Sequence, residues 1–367
     1  MPSGVIYLFQ GKFKLNRLLG KGGFGEVYAG VQVSTGEAVA VKLERTNKAR
    51  CFLFHEARVM QDLQNSMPNR IAPGIPELKY FGQEGDFRIL IMSIHGPSLE
   101  DMHANLGRFS LKTTVMLANE MISRLEFIHS NGYIHRDLKP DNFLLGIGRL
   151  SRHIYLIDFG LSVRYRSFDG THRESATGKS FVGTSRYASL RTHQGFSQSR
   201  RDDLEQLTYI LIYLHRGHLP WSGLQIKDRE EKEKAIGEIK QKLTSTQICS
   251  KCPRQFEDLL IYARKMEYTE GPQYEMCRIL MSSVLGTIGP NVKNDYQYDW
   301  VNLKKKDATS QHADLESTSV GNKTNTKKIN ENRETNVLLS NGRVQCILSG
   351  FANGIPQDVQ FLNRQQC

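Results

Sequence analysis

The sequence has few cysteines, no long apolar run and no surplus of acidic residues. Six cysteines are scattered over 367 residues, which argues against the disulfide framework of a small secreted domain. No apolar stretch approaches the roughly 20 residues that span a bilayer, which argues against an integral membrane protein. The first ten residues have no basic start and no sustained apolar run, so we expect no secretory signal. We therefore expect a protein of the cytoplasm, the nucleus or both.

The charge and the composition narrow the class of protein less sharply. The formal net charge of +11 would suit nucleic acid, a membrane surface or phosphorylated partners, and charge alone does not choose among them. Cys249 and Cys252 form a C-x-x-C pair, but no second pair or nearby histidine completes a zinc site, so we expect no metal there. From about Lys304 onward the chain is mostly polar, which predicts a disordered tail.

The hydrophobic pattern changes from strand-like to helical along the chain. Between Phe13 and Phe81, short alternating runs are separated by glycine-containing turns, and a helix is expected at Phe52–Leu63. The strands are expected at Lys14–Leu19, Glu26–Val33 and Ala38–Leu43. Beyond Gly96 the periodicity is helical, with helices expected at Leu111–His129, Asp202–His215, Glu230–Lys240 and Gln255–Lys265. This order predicts an α+β fold, with a small β-rich part followed by a mainly helical part.

A glycine-rich stretch and a lysine lie within the strand region. Gly20–Val27 reads G-x-G-x-x-G-x-V, in which glycines let the backbone approach phosphates closely. Alone, it is also compatible with a glycine-rich hairpin turn, and the strand that follows it disfavours a dinucleotide-binding fold. Lys42 ends an apolar alternating run and could bring a cation onto phosphates. Glu56 is the best candidate to orient Lys42 by an ion pair, although spacing leaves Glu44 open.

Two further motifs carry the strongest signal. His135–Asn142 reads H-R-D-L-K-P-D-N, and Asp158 begins D-F-G after an apolar run. With the glycine-rich stretch and Lys42, these resemble the catalytic signatures of protein kinases. In that template Asp137 accepts or orients the substrate hydroxyl, and Lys139 reaches the transferring phosphate. The oxygen atoms of Asn142 and Asp158 suit Mg²⁺, with Mn²⁺ as a substitute, so ATP and a divalent metal are the expected cofactors.

Other stretches narrow the resemblance to the casein kinase 1 family of serine/threonine protein kinases. They are Gly96–Asp101, Lys139–Leu144, Gly183–Ser189 and Ser199–Glu205. The resemblance runs from about residue 13 to residue 303 and implies a two-lobed protein-kinase fold. The implied divisions are an N-terminal extension (1–12), a kinase domain (13–303) and a tail (304–367). Within the domain, we expect an N-lobe (13–91), a hinge (92–96) and a C-lobe (97–303).

The resemblance also implies site residues. Besides Lys42, the expected ATP contacts are Leu19, Gly20, Gly22, Gly25, Val27, Ala40, Met92, His95, Leu144 and Ile157. Arg186, Lys232 and Lys179 fall on positions that form anion sites in the family, which implies protein substrates with acidic or already phosphorylated segments. We expect a monomer that carries no specific nucleic-acid site.

The sequence departs from the family pattern at several positions. Ser93 replaces an acidic residue of the hinge, and Val163 replaces a lysine after D-F-G. Thr208 stands where a glycine is common, and Ser189-Leu190-Arg191 replaces S-I-N, which is expected to add a cation beside the substrate groove. These departures leave the expected chemistry intact but put substrate preference in question.

Three alternatives remain open. The related tau-tubulin kinase group shares the style of glycine loop, although Arg201–Glu205 favours casein kinase 1. A pseudokinase scaffold would use the fold without catalysis, but its expected loss of catalytic side chains is not seen. Direct nucleic-acid binding would suit the positive charge, yet no reader motif with interleaved aromatic residues is present.

Overall fold

The computed structural model describes residues 6–23, 25–47 and 51–301. Its described residues as far as Lys293 form one compact unit, and residues 294–301 belong to a second unit. In that second unit the rings of Tyr298 and Trp300 stack, with centroids 4.8 Å apart. The predicted tail and the predicted domain end at residue 303 lie outside the described residues. No helix in the described part of the chain is long and apolar enough to cross a membrane.

The N-terminal lobe is a six-stranded antiparallel sheet with one helix. The strands lie in the order β1-β2-β3-β4-β6-β5. Their bounds are β1 (Tyr7–Leu8), β2 (Phe13–Gly22), β3 (Gly25–Gln32), β4 (Ala38–Arg45), β5 (Leu78–Glu84) and β6 (Phe87–Ser93). Helix α1 (Phe52–Asn65) connects β4 to β5 in the chain. The three predicted strands and the predicted helix coincide with β2, β3, β4 and α1.

Side-chain alternation along β4 decides which residues face the cleft. Val39 and Val41 are fully buried in an apolar cluster with Ile89 and Ile91 of β6. Because successive side chains of a strand point to opposite faces, Ala40 and Lys42 point away from that cluster. The alternation therefore places the lysine on the opposite face of the sheet from Val39 and Val41.

The C-terminal lobe is mainly helical, as predicted. Its main helices are α2 (Leu99–Leu106), α3 (Leu111–Ser130), α4 (Leu190–His193), α5 (Arg200–Arg216), α6 (Arg229–Lys242), α7 (Ser245–Ile248), α8 (Arg254–Lys265) and α9 (Tyr274–Ile288). Four short strands form two antiparallel pairs, β7 (Tyr133–Ile134) with β10 (Val163–Arg164), and β8 (Phe143–Leu145) with β9 (Ile154–Leu156). The predicted helices match α3, α5, α6 and α8 within two residues, whereas α2, α4, α7 and α9 were not predicted.

Helix α5 is the centre of this lobe. Every residue from Arg201 to Leu214 is buried, including Asp202, Asp203 and Glu205 near its start. Acidic groups in a first helical turn are favoured by the helix dipole, and buried ones need hydrogen-bond donors. Asp202 accepts such bonds from the backbone N–H of Ser199, at 2.8 Å, and from the hydroxyl of Ser189. The start of α5 is therefore a rigid, polar platform inside an apolar lobe.

Candidate active site

Lys42, Glu56 and Asp158 form a buried ion cluster between the two lobes. The Nζ of Lys42 lies 2.6 Å from Oε2 of Glu56 and 2.9 Å from Oδ1 of Asp158. Burial disfavours the Lys42 ammonium, but the two carboxylates outweigh burial and raise its pKa above the ordinary range. Burial raises the pKa of Asp158, but the positive charge of Lys42 outweighs burial, so the pKa of Asp158 is lowered. The Lys42 side chain therefore stays positively charged between two acidic partners.

The structure resolves which glutamate is the partner of Lys42. Glu44 lies on the same strand but is 3.6 Å from the guanidinium of Arg88 and accepts a long hydrogen bond from the backbone N–H of Leu53. Glu56 is contributed by α1 and reaches Lys42 directly. The position of α1 is therefore part of the site, because a displaced helix would withdraw Glu56.

The glycine-rich stretch forms the hairpin between β2 and β3. Gly25 has a φ of +145°, and a Cβ there would collide with the carbonyl oxygen of Leu43. Only glycine fits this position. At Gly20 and Gly22, a Cβ would meet no protein atom within 4 Å. Protein packing therefore does not account for these two glycines, whereas the close approach of a ligand would.

The other predicted ATP contacts lie on the adjoining strands. Ala40 pairs with Met92 and Lys42 with Leu90 across β4 and β6, while Val27 of β3 pairs with Lys42. Ala40 and Met92 are both buried. Leu19 lies on β2, Leu144 on β8, and Ile157 donates its backbone N–H to the carbonyl of Asn142 at 3.0 Å. The predicted set thus combines strands of the sheet with the β8–β9 hairpin below it.

The hinge carries a local polar cluster. The hydroxyl of Ser93 accepts the backbone N–H of Glu77 at 2.9 Å and lies 3.0 Å from Nε2 of His95. The His95 ring stacks on Tyr155, with centroids 3.8 Å apart. Burial lowers the pKa of His95 to about 4, so its imidazole is neutral at neutral pH. Ser93 of the hinge therefore makes neutral hydrogen bonds at the position where the resemblance to casein kinase 1 led us to expect an acidic residue.

Asp137 is held by side chains on both of its oxygen atoms. Oδ2 lies 3.2 Å from Nζ of Lys139, and Oδ1 accepts a hydrogen bond from the Thr184 hydroxyl at 2.7 Å. Burial opposes the charge on Lys139, but Asp137 and Asp158 outweigh it and raise the lysine's pKa. A carboxylate fixed in this way is suited to accept a hydrogen bond from an incoming hydroxyl and to receive its proton.

Asn142 and Asp158 offer oxygen atoms that fit a divalent metal. The Asn142 amide nitrogen donates to the Asp137 carbonyl at 2.9 Å, which leaves the amide oxygen available. Asp158 uses Oδ1 for Lys42 and keeps Oδ2. In the described residues no group of three or more His, Cys, Asp and Glu side chains could hold a metal alone. The two side chains therefore suit a hard cation that takes its remaining ligands from water and phosphate.

Sequence reasoning missed the residue that anchors the predicted catalytic loop, His135–Asn142. Asp203 of α5 accepts the backbone N–H groups of His135 at 2.7 Å and Arg136 at 2.9 Å, and its Oδ2 lies 2.9 Å from the ring of His129. Burial penalises this carboxylate, but its donors outweigh burial and lower its pKa. The signal was present in the sequence as consecutive acids at the start of an apolar helix.

Thr184 was also missed as a site residue. Gly183, which precedes it, has a φ of +112°, and a Cβ there would press on the carbonyl oxygen of Arg136. The glycine thus lets the segment pass close to the catalytic loop, and Thr184 reaches Asp137. In the sequence, Gly183 and Thr184 carried only a family resemblance and no predicted role.

The structure separates the three predicted anion-binding residues. Lys179 lines a cavity of about 410 Å³ together with Arg136, Arg164 and Arg173. Arg186 does not line this cavity, and its guanidinium lies 5.7 Å from the ring centroid of Tyr213. Lys232 is exposed on α6. The three residues therefore do not form one pocket.

Three other arginines, Arg191, Arg200 and Arg201, have structural partners. Arg191 donates to the carbonyl of Arg264 at 2.7 Å, so the cation expected beside the substrate groove is engaged with α8. Arg201 donates to the carbonyl of Met266 at 2.9 Å, and Arg200 to the hydroxyl of Tyr165 at 3.3 Å. These three arginines are therefore engaged within the protein, which leaves fewer cations near the cavity to bind a ligand.

Comparison with known families agrees with this geometry. The family model described as protein kinase domain matches residues 13–278, which is well over half of the chain. This match supports a phosphotransferase that uses ATP and a divalent metal and acts on protein substrates. With its β-rich N-terminal lobe, its helical C-terminal lobe and its matched sequence, the chain belongs to the protein kinase domain family.

Proposed function

We propose that this protein is an active serine/threonine kinase of the casein kinase 1 type. It transfers the γ-phosphate of ATP, with Mg²⁺ or Mn²⁺, to segments that are acidic or already phosphorylated. The observation that carries the proposal is the arrangement around Asp137, whose two oxygen atoms contact Lys139 and Thr184. A scaffold that had lost catalysis would have no need to keep this carboxylate so oriented.

Each group has a separate part in the proposed transfer. Asp137 orients the acceptor hydroxyl and receives its proton, while Lys42 and Lys139 place positive charge beside the phosphates. Asn142 and Asp158 hold the divalent metal, which neutralises charge on the phosphates when it is bound. Glu56 keeps Lys42 in place through their 2.6 Å contact. The protein's contribution is therefore positioning and electrostatic stabilisation.

The acceptor class follows from the loop that contains Asp137. Its D-L-K-P sequence resembles that of serine/threonine kinases. Lys139 lies 3.2 Å from Asp137, close enough to contact the γ-phosphate as it passes from ATP to an aliphatic hydroxyl held by Asp137. We expect peptides with serine or threonine to be phosphorylated and matched tyrosine peptides to remain unmodified.

The preference for acidic segments rests on the cationic cavity. Arg136, Arg173 and Lys179 line it beside the catalytic loop, and Arg136 directly precedes Asp137. Arg164 also lines it but pairs with Asp62 at 2.9 Å, which offsets its charge. Guanidinium groups bind phosphate or carboxylate by charge-assisted, often bidentate hydrogen bonds. Arg186 and Lys232 would contribute a separate anion contact.

The test is phosphorylation of matched peptides by the full chain. Serine, threonine and tyrosine versions of one acidic peptide are compared, each with and without a neighbouring phosphoserine. Asp158→Asn serves as the catalytically disabled control, because labelling that it leaves undiminished would come from a contaminating kinase. Lys179→Ala and Arg186→Ala are compared with Lys242→Ala, which removes an exposed cation of α6.

We expect phosphoserine to raise kcat/KM about tenfold, and loss of Lys179 or Arg186 to remove most of that gain. Lys242→Ala should keep it. Equal rates on primed and unprimed peptides would refute the anion preference but leave kinase activity standing. Absence of transfer to any peptide, with ATP still bound, would favour the pseudokinase alternative.

A further inference from the structure

A buried lysine of α6 contacts the backbone of the segment after Thr184. Lys240 is fully buried, and its Nζ donates to the carbonyl oxygens of Ser185 at 2.8 Å and Ala188 at 2.5 Å. The Nζ also lies 3.2 Å from Nε2 of His193 in α4, which is itself 3.2 Å from the Ser185 carbonyl. Two carbonyls of one short segment are thus bound by a single side chain.

A tryptophan binds the carbonyl between them. Nε1 of Trp221 donates to the Arg186 carbonyl at 2.8 Å. The rings of Trp221 and Tyr209 stand edge to face, and the Lys240 Nζ lies 4.8 Å and 5.0 Å from their centroids. We call Lys240 and Trp221, with the carbonyls they bind, the carbonyl clamp. It draws the carbonyls of the segment Ser185–Ala188 into the helical lobe.

Burying this lysine costs free energy, so a contribution to stability does not explain why a lysine stands at position 240. Burial lowers the pKa of Lys240 well below its ordinary range, and Glu205 offsets this only in part. Ion pairs and cations in apolar interiors are often replaceable by apolar side chains without loss of stability. Here the ammonium meets carbonyl oxygens and aromatic faces, which are the partners that make a buried cation tolerable. Its specific effect is on the backbone that it binds.

The clamped segment adjoins the catalytic aspartate. Thr184 contacts Asp137 through its side chain, and its carbonyl accepts the backbone N–H groups of Tyr187 and Ala188 at 2.9 Å each. Trp221 holds the Arg186 carbonyl, and the Arg186 guanidinium lies 5.7 Å from the ring centroid of Tyr213. Packing of α6 against α4 completes the arrangement, since a Cβ at Gly237 would press on His193.

We propose that Lys240 is a positioning residue for the phosphoacceptor substrate, acting through the carbonyl clamp on Ser185–Ala188. The role rests on the proposed kinase function. An acceptor hydroxyl at Asp137 would bring the substrate protein alongside this segment, because Thr184 contacts Asp137, whereas the proposed phosphate contact Lys42 lies on the sheet. Loss of the clamp therefore weakens the use of the protein substrate and leaves ATP binding intact.

The experiment uses the full chain and three variants. Lys240→Met keeps an unbranched apolar stem and removes the donor, while Trp221→Phe keeps a ring and removes Nε1–H, a smaller change that preserves folding. Lys242→Met is the matched control, because Lys242 is an exposed lysine of the same helix. For each variant we measure KM for an acceptor peptide, KM for ATP, and amide hydrogen exchange over residues 184–190 and 200–216.

For Lys240→Met we expect KM for the peptide to rise at least tenfold and KM for ATP to change less than twofold. Exchange over residues 184–190 should quicken about tenfold, while exchange over α5 stays as in wild type. Trp221→Phe should shift the same quantities in the same direction by less, and Lys242→Met should shift none of them.

Two results would overturn the inference. One is that both clamp variants keep the hydrogen-exchange rates and the peptide KM of the wild type. The other is an equal rise of both KM values together with faster exchange in α5, which would mean general loosening. If Lys240→Met does not fold, Trp221→Phe decides by the same criteria. If the wild-type chain phosphorylates no peptide, the proposed function fails. The hydrogen-exchange data then still show whether Lys240 and Trp221 fix the segment Ser185–Ala188.

Discussion

The two sides of the active site are held together in different ways. On the nucleotide side, Lys42, Glu56 and Asp158 come from β4, α1 and the loop after β9, and they meet through charged side chains. On the acceptor side, the catalytic loop is fastened by its backbone, since Asp203 of α5 accepts the N–H groups of His135 and Arg136. The nucleotide side is an assembly across lobes, whereas the acceptor side is built onto one buried helix.

This difference has a thermodynamic consequence. The backbone anchor of the acceptor side, Asp203, lies in the core of the C-terminal lobe, so damage to that anchor should cost stability as well as activity. The ion cluster instead depends on where α1 lies, and burying charged groups contributes little net stability. Damage there should lower activity at little cost in stability. Substitutions on the two sides can test whether activity and stability separate in this way.

The largest effect is expected for Asp137→Asn. The amide cannot receive a proton from the acceptor hydroxyl, so we expect kcat to fall on the order of 10²–10⁴-fold. Stability should change little, because the amide oxygen of the substituted side chain can still accept the hydrogen bond from Thr184. Steady-state phosphorylation and thermal unfolding check both parts. A variant that keeps more than a tenth of wild-type kcat would contradict the role given to Asp137.

The next largest effect is expected for Asp203→Asn, the anchor of the catalytic loop. The substituted amide has one acceptor oxygen and an N–H₂ group that would face the backbone donors, so a charge-assisted bond is lost. We expect the free energy of unfolding to fall by about 2–4 kcal/mol, and kcat to fall by roughly 10–100-fold. Denaturant unfolding and kinetics on the same preparation measure both. Lost activity at unchanged stability would break the comparison between the two sides.

A smaller effect is expected for Glu56→Gln, on the nucleotide side. Burial raises the pKa of Glu56, the charge of Asp158 adds to this, and Lys42 offsets it only in part. Removing one partner of a buried ion pair usually costs about 3–5 kcal/mol. Lys42 keeps Asp158 at 2.9 Å, however, so we expect the free energy of unfolding to fall by only about 1 kcal/mol. Because Lys42 then loses one of its two carboxylate partners, we expect kcat/KM for ATP to fall about tenfold. A stability loss as large as that of Asp203→Asn would erase the distinction.

The sequence predicted more of the candidate site than of the residues that hold it in place. Motif spacing led to Lys42, Asp137, Asn142 and Asp158, because phosphate and metal chemistry restricts the residue types that suit such a site, and their catalytic roles stay predictions. It did not choose between Glu44 and Glu56, since that choice depends on where α1 packs.

Residues that act through the backbone were harder to foresee. Asp203 and Lys240 are charged residues that lie buried inside helices, and hydrophobic periodicity predicts apolar rather than charged residues at buried positions. Their partners are N–H and C=O groups of distant segments, which leave no trace in residue type. Thr184 was similarly hidden, because its contact with Asp137 requires the left-handed backbone of Gly183.

The smallest effect is expected at His95, at the edge of the nucleotide side, and it concerns pH. Burial lowers the pKa of His95 to about 4, against an ordinary value near 6.5. Below pH 6.5 the unfolded chain gains a proton at this imidazole while the folded chain does not. The neutral ring's contribution to stability is therefore present above pH 6.5 and is lost as the pH falls towards 4.

The variant His95→Leu removes this titration and keeps an apolar side chain against Tyr155. Since the shift is partly screened at the edge of the hinge, we expect wild type to lose about 1–2 kcal/mol more than the variant between pH 6.5 and pH 4. Denaturant unfolding of both proteins across that range measures the difference, and Lys242→Met supplies a parallel control. Identical pH profiles would show that His95 titrates alike in both states. The imidazole of His95 would then be as well solvated in the folded hinge as in the unfolded chain.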